Sequence, residues 1–498
     1  MPENTKPAGH LFVLHGVIQN FDYDAVIIPT DHRFDVRPYW PPSVTGDLDW
    51  ARPTHWPAEF GRSGSGDAVW FISVADEEQL TNDDLIVRVR DTLRSIADAR
   101  LGSTDQRLRT RVALPVLGIG AGGLGGQRGA VLGALLEALR AAAADDDLDI
   151  LLVTPDPAVF SAAQHARRNL VETSSSQWDL GATELAEARR LGHLAVEGHL
   201  ALFLGAGVSM AAGLPSWKDL LEQLGREAGE QPHDFADLGS LDQAQYLAAT
   251  LGAERLNDAV SEIIGKRQKV SLAHALLAGM GCREAVTTNY DDLYGVAVEA
   301  TRRPRPKVLP WQVVDEGRPW LLKLHGDIDR SASIVLTRRD FVLFDAKSRP
   351  AGSLLQALLL TKHVLIVGAS LADDNVIRLA MEVDEYLTQS EDRSEQGTFI
   401  DVSGVESRKK LWTRQFRWFV CEGTDRASRI HRMEVFLDAV AAFASSDAPW
   451  LLDERFDGLL SASDRNVVTQ ARQLATQAEG GSGLLEPLRQ VLRALGGH

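Results

Sequence analysis

Two cysteines in 498 residues, Cys282 and Cys421, are too few for a disulfide framework or a four-thiolate zinc site. No run of 18 or more apolar residues occurs, and the first residues lack the charged-then-apolar order of a secretion signal. A cytoplasmic protein without a membrane span is therefore expected. Basic charge is scarce as well: 52 Lys and Arg face 69 Asp and Glu, a formal net charge of −17. A general nucleic-acid surface needs clustered cations, so this balance argues against one. It leaves a dinucleotide open, because backbone amides hold phosphates locally. No repeat of solenoid length is present. The apolar fraction of 44% and charged fraction of 24% are ordinary for globular protein, and the length calls for two or three domains.

Strand-like and helix-like segments alternate along the chain. Apolar runs at 11–14, 25–29, 68–74, 112–117 and 150–154, with helical stretches at 79–100 and 127–144, predict a three-layer α/β domain. Residues 35–66, rich in Pro, Trp, Gly and Ser, read as a long irregular loop; the tryptophans within it fit a lid or an interface equally. The stretch 172–177, with three serines in a row, reads as a linker. A helix over 183–196 leads into a second α/β domain. Its strands are expected at 200–204 and near 285–288, 320–324, 333–336, 363–367, 398–402 and 417–421. The basic run 302–307 reads as a solvated loop. From about 426 the sequence is helical, interrupted at 445–449 and 480–483. The expected division is 1–170, 180–440 and a helical extension over 441–498, whose amphipathic helices more simply complete a core than serve assembly.

The chemistry-bearing residues lie at the ends of the second domain's strands. Leu202–Leu204 runs into Gly205-Ala206-Gly207-Val208-Ser209, followed by Gly213-Leu214-Pro215. A Gly-x-Gly turn between strand and helix lets backbone approach a pyrophosphate, and Ser209 can donate to a phosphate oxygen. Thr287-Thr288-Asn289-Tyr290-Asp291, Lys323-Leu324-His325-Gly326 and Gly368-Ala369-Ser370 follow, each after a strand, where open α/β sheets place ligands. Each also has a plain structural reading. The glycines can simply pack a helix on a sheet, Asn289 can form a turn, and His325 can be a satisfied buried histidine. The ordered set makes four coincidences a poorer account than one site.

That set resembles the SIR2 (sirtuin-like) family, whose motifs run Gly-Ala-Gly-x-Ser, Gly-x-Pro, Thr-x-Asn-x-Asp, His-Gly and Gly-x-Ser. The resemblance covers roughly residues 180–440 and implies a Rossmann-type parallel sheet that binds NAD. It implies Asn289 beside the nicotinamide ribose, His325 as general base and Asp291 orienting nearby groups. Gly205, Ala206, Gly207, Ser209, Pro215, Trp217, Thr287, Gly368 and Ser370 would contact NAD, with Trp217 over the nicotinamide and Gly368 and Ser370 along the adenosine ribose. Ser216 and Lys218 depart from the family's Asp and Arg. The deacylases of the family carry two Cys-x-x-Cys pairs on zinc, and the cysteines for that module do not exist here. Also missing is a recognisable acyl-peptide segment. The resemblance therefore implies an NAD-cleaving SIR2-like enzyme of prokaryotic anti-phage defence. It would use NAD as substrate, with no metal, releasing nicotinamide and ADP-ribose or a cyclised ADP-ribose. A zinc-free NAD-dependent deacylase and a non-catalytic NAD or ADP-ribose binding module remain alternatives.

Tyr23–Asp31 and Val112–Gly123 resemble a macro domain over about residues 10–165, a fold that binds ADP-ribose and related nucleotides. Where that family carries its adenine-binding Asp and its catalytic Asn, this chain has Val17 and Asp31, so binding of a nucleotide signal is expected in place of hydrolysis. Gly118, Gly120, Gly122 and Gly123 would offer backbone amides to its phosphates. A homo-oligomer, and activity restrained until a signal or a separate defence partner acts, complete the expectation.

Overall fold

The computed structural model describes residues 8–497, apart from 57–58, 66–67, 76–79, 102–106, 121–123, 174–176, 230–233, 268, 390–394, 413 and 481. Gly122, Gly123 and the serine run 174–176 thus lie outside the described residues. The chain divides into two compact units, one of residues 1–192 with 435–498, the other of residues 193–434.

The first unit holds β1 (Leu11–His15), β2 (Ala25–Thr30), β3 (Phe60–Arg62), β4 (Val69–Ser73), β5 (Arg111–Pro115) and β6 (Asp149–Thr154). They form one sheet in the order β1-β6-β5-β2-β4-β3, parallel except where β3 runs against β4. The segment expected as irregular over 35–66 instead contains β3 and two single-turn helices, Pro42–Thr45 and Leu48–Ala51. Pro41 and Asp47 start those turns, which is how a Pro-rich stretch still makes local helix. The helix Asn82–Asp98 begins at a capping box between Thr81 and Asp84. Residues 435–498 complete this unit's core: Trp450, Leu452, Phe456, Leu460 and Leu492 are buried with the sheet's apolar residues. Gly129 has no room for a Cβ, which would sit 2.7 Å from the carbonyl oxygen of Phe456. Deeper in, Asp438 accepts from Arg167 (3.1 Å) and Trp178 (2.7 Å) and lies 2.9 Å from Nε2 of His10. Burial alone would raise this carboxyl, but Arg167 and His10 outweigh it and hold it far below the usual range.

The second unit is built on β7 (Leu200–Leu204), β8 (Glu284–Thr287), β9 (Lys307–Leu309), β10 (Trp320–Lys323), β11 (His363–Val367), β12 (Gly397–Asp401) and β13 (Phe416–Val420). All run parallel, in the order β13-β12-β11-β7-β8-β10-β9. β7 is buried along its whole length and β11 from Val364 onward, which is why these central strands read as continuous apolar runs. The chain turns from one side of β7 to the other after β10, so the crevice over β7 is the sheet's topological switch point. The strand expected at 333–336 is absent. Residues 331–333 form a single 3-10 turn, and the apolar Ile334 and Leu336 that follow are buried off the sheet. The edge is taken by β9, which begins at Lys307, the last residue of the basic run read as solvated loop; within that run Arg303 bonds the Ala278 carbonyl and Arg305 pairs with Asp292.

Candidate active site

A cavity of about 710 Å³ opens over the carboxyl ends of β7, β8, β10, β11 and β12. Gly205, Ala206, Gly207, Ser209, Pro215, Trp217, Asn289, Asp291, His325, Gly368 and Ser370 all line it. Thr287 does not. Its hydroxyl donates to the Leu204 carbonyl (2.8 Å) and accepts from the Asn289 amide (3.0 Å), so it holds the turn that presents Asn289.

Glycine is required at the β7 turn for a reason nearer than phosphate. A Cβ on Gly205 would lie 2.5 Å from the Ala369 Cα, and one on Gly207 2.9 Å from the Gly368 Cα. The Gly207 amide donates to the Gly368 carbonyl at 2.8 Å. The two glycine motifs therefore clasp each other, backbone on backbone, and form one wall. Gly368 itself has φ +70°, where a side chain would be strained.

Ser209 also departs from its expected role. Its hydroxyl donates to Asp291 Oδ2 (2.7 Å) and accepts from Asn289 Nδ2 (2.8 Å), so it is spent on organising those two residues. Asn289 Nδ2 further donates to the Gly205 carbonyl (3.1 Å), while its Oδ1 is buried with no partner among the described residues. A buried amide oxygen without a donor costs free energy, and here it borders the cavity. Asp291 Oδ1 accepts from the Leu293 amide, which fixes the carboxylate.

Lys323 carries this arrangement. Fully buried at the end of β10, it donates to the carbonyls of Tyr290 (2.8 Å) and Asp291 (2.7 Å) and pairs with Asp327 (2.8 Å). It thereby ties the loop bearing Asn289 to the end of β10, just before His325. The ring of His325 packs edge-on to Phe341 and Phe344, and its Nε2 lies 2.9 Å from Asp373 Oδ2. Asp373 also lines the cavity. Trp217 opens the helix Trp217–Glu227, capped by Ser216 and Asp219, and its ring lies near those of Tyr290 and Phe341. The serine at 216 is thus a helix cap, and Lys218 points out to Glu222. At the far end the cavity is lined by Arg408, Arg426 and Arg429.

Sequence reasoning missed Lys323's role, Asp327 and Asp373. A lone lysine ending an apolar strand was the available signal for the first. Nothing local marks the other two. The two cysteines are both buried thiols, and burial pushes Cys282 up to about 12.

Residues 283–416 match the family model of the SIR2-like domain. That stretch is thus similar to a SIR2-like domain. The matched stretch contains Asn289, His325, Gly368 and Ser370; the structure adds the Gly205–Ser209 turn, which precedes it in sequence. The chain is 32% identical to NAD(+) hydrolase ThsA of Enterococcus faecium over 210 residues, 41% of this chain and 44% of that protein. It is 30% identical to NAD(+) hydrolase ThsA of Bacillus cereus over 253 residues, half of each chain. A third relative, Defense-associated sirtuin 2 of Bacillus subtilis, is 23% identical over 186 residues, 18% of its length. The matched region thus spans half or less of the curated relatives' own length.

Proposed function

We propose that this protein is an NAD glycohydrolase, using water to convert NAD to nicotinamide and ADP-ribose as a regulated effector of anti-phage defence. The observation that carries the reading is the Asn289–Ser209–Asp291 network, set beside His325 in a cavity at the sheet's switch point. The names of the matched relatives, two NAD(+) hydrolases and a defence-associated sirtuin, support it. In this reading the bond from ribose C1′ to the pyridinium nitrogen breaks, and its electron pair stays on nitrogen, which leaves as neutral nicotinamide. Water attacks the oxocarbenium-like C1′ and gives up a proton to His325. The Asn289 Oδ1 accepts from that water or a ribose hydroxyl, satisfying its open valence. Trp217 covers the nicotinamide and keeps bulk water out. The wall of Gly205, Gly207, Gly368 and Ser370 lies along the pyrophosphate and adenosine ribose, and the arginine end offers positive charge to the phosphates.

The N-terminal domain is assigned as a macro-like module that binds a nucleotide signal. Its sheet order and the Gly118–Gly120 segment after β5 support that assignment, while Asp31 spends its carboxylate on the amides of Arg33 and Asp35. Activity is then low until a signal, oligomer or partner releases it. Nicotinamide release by the purified full chain, with Asn289→Ala and His325→Ala alongside, tests the reading. Release that both substitutions abolish supports it; undiminished release in both places the chemistry elsewhere.

A further inference from the structure

Asp373, which lines the cavity, divides its two oxygens between two tasks. Oδ1 accepts from the amides of Asn375 (3.0 Å) and Val376 (3.3 Å), capping the helix Asp374–Leu387. Oδ2 is left to face Nε2 of His325 at 2.9 Å. Among the described residues no lysine or arginine pairs with Asp373. The helix cap therefore explains one oxygen, and the histidine is what the other meets. The approach is off the line of an ideal hydrogen bond, as catalytic contacts often are before substrate tightens them.

The two ring nitrogens of His325 differ in surroundings. Nε2 is buried, so a base acting on a group in the cavity must use Nδ1, which has no partner among the described residues. A neutral imidazole carries its proton on one nitrogen only. With the proton on Nδ1 the ring would have no lone pair to offer the cavity. A carboxylate beside Nε2 selects the opposite tautomer and stabilises the imidazolium formed when Nδ1 takes a proton.

Resting on the NAD-cleaving reading above, we propose that Asp373 is a positioning residue of the reaction: it holds the His325 proton on Nε2 and frees Nδ1 as the base. Other titratable groups around the pair do not substitute for it. Tyr290 is buried and its hydroxyl donates to the Val335 carbonyl, Asp340 caps its own helix through Thr337, Asp345 is paired with Arg378, and Asp291 is tied to Ser209. Asp374 belongs to the first turn of the helix that Asp373 caps. Burial pushes the Asp373 carboxyl up, yet the His325 contact and the two helix amides outweigh it and hold it below the ordinary carboxylate range.

The test uses the full chain under conditions where nicotinamide is released. Asp373→Ser and Asp373→Asn both keep a good helix cap, so the fold is retained. Asp373→Ser is expected to lower kcat roughly 100-fold, the low end of what a well-placed acid–base group contributes, with KM for NAD within about threefold and the thermal midpoint unchanged. Asp373→Asn keeps the shape and loses the charge. The acid limb of its kcat profile moves to lower pH, because a neighbouring carboxylate favours the charged imidazole and its loss favours the neutral one. Asp373→Glu restores part of kcat. Full kcat and an unmoved limb in the Ser and Asn variants, with His325→Ala inactive, overturn the proposal and leave the NAD-cleaving reading standing. An effect on KM alone also overturns it, since that marks a substrate contact. Activity in His325→Ala removes the base itself and with it the reading on which Asp373 depends.

Discussion

Replacing Lys323 with Met removes a buried cation and leaves its three partners in place. The ammonium has no exposed surface and Asp327 is 5% exposed, so water cannot take over the lost contacts. Breaking a buried pair by deleting one partner costs about 3–5 kcal/mol, because the remaining charge stays uncompensated. For a unit of the size of residues 193–434, each kcal/mol lowers the unfolding midpoint by about 2–4 °C, which makes the expected loss about 6–20 °C. The double variant Lys323→Met/Asp327→Leu should recover much of it, since an apolar pair of similar volume replaces a buried ion pair at little cost. What stays lost is the hold on the Tyr290 and Asp291 carbonyls, and with it the placement of Asn289. A misplacement of about 1 Å costs roughly 100-fold in rate. Scanning calorimetry of the two variants, with nicotinamide release measured on each, checks both halves. A midpoint lowered by less than about 2 °C in Lys323→Met would refute the claim that this lysine carries the site.

Gly205→Ala should destabilise by about 1–3 kcal/mol, since its Cβ meets backbone of the facing loop at 2.5 Å and backbone cannot yield as a side chain does. Its φ of −97° is open to alanine, so thermal unfolding reports the clash and not strain; an unchanged midpoint would show that the two loops do not clasp. His274 is fully buried and neutral, its pKa pulled down to about 4 by burial against a smaller opposing pull from Asp291. The unfolded chain then binds more protons between about pH 6.5 and 4, so stability is complete above that window and is lost as pH falls through it. Protonating this buried ring on the way down to about pH 4 costs roughly 3 kcal/mol of stability. Urea midpoints at pH 7 and pH 4.5 should therefore fall less in His274→Asn than in the parent; equal falls would contradict the burial argument.

Much of the second unit was legible because its strands are parallel and covered on both faces, so that Leu200–Leu204 and Val364–Val367 read as unbroken apolar runs. The same cue failed at 334–336, where the apolar residues pack beneath the His325 segment without pairing to a strand. β9 escaped notice because it has three residues and follows Pro304 and Pro306. The site's members were visible as motifs, yet their division of labour was not. Ser209 has the residue type that binds phosphate, and only its distances to Asn289 and Asp291 show the hydroxyl spent on them. Asp373 pairs with a histidine 48 positions earlier, a relation no local pattern encodes. The seating of Phe456 on Gly129 is likewise a long-range packing fact without a sequence signature.

The fate of NAD separates an enzyme from a binding module most directly. The full chain, incubated with NAD in lysate from phage-infected and from uninfected cells, should release nicotinamide and ADP-ribose in equal amounts in the infected lysate. Asn289→Ala and His325→Ala should release neither. NAD that stays bound and intact in every condition would contradict the account and leave a binding module in its place.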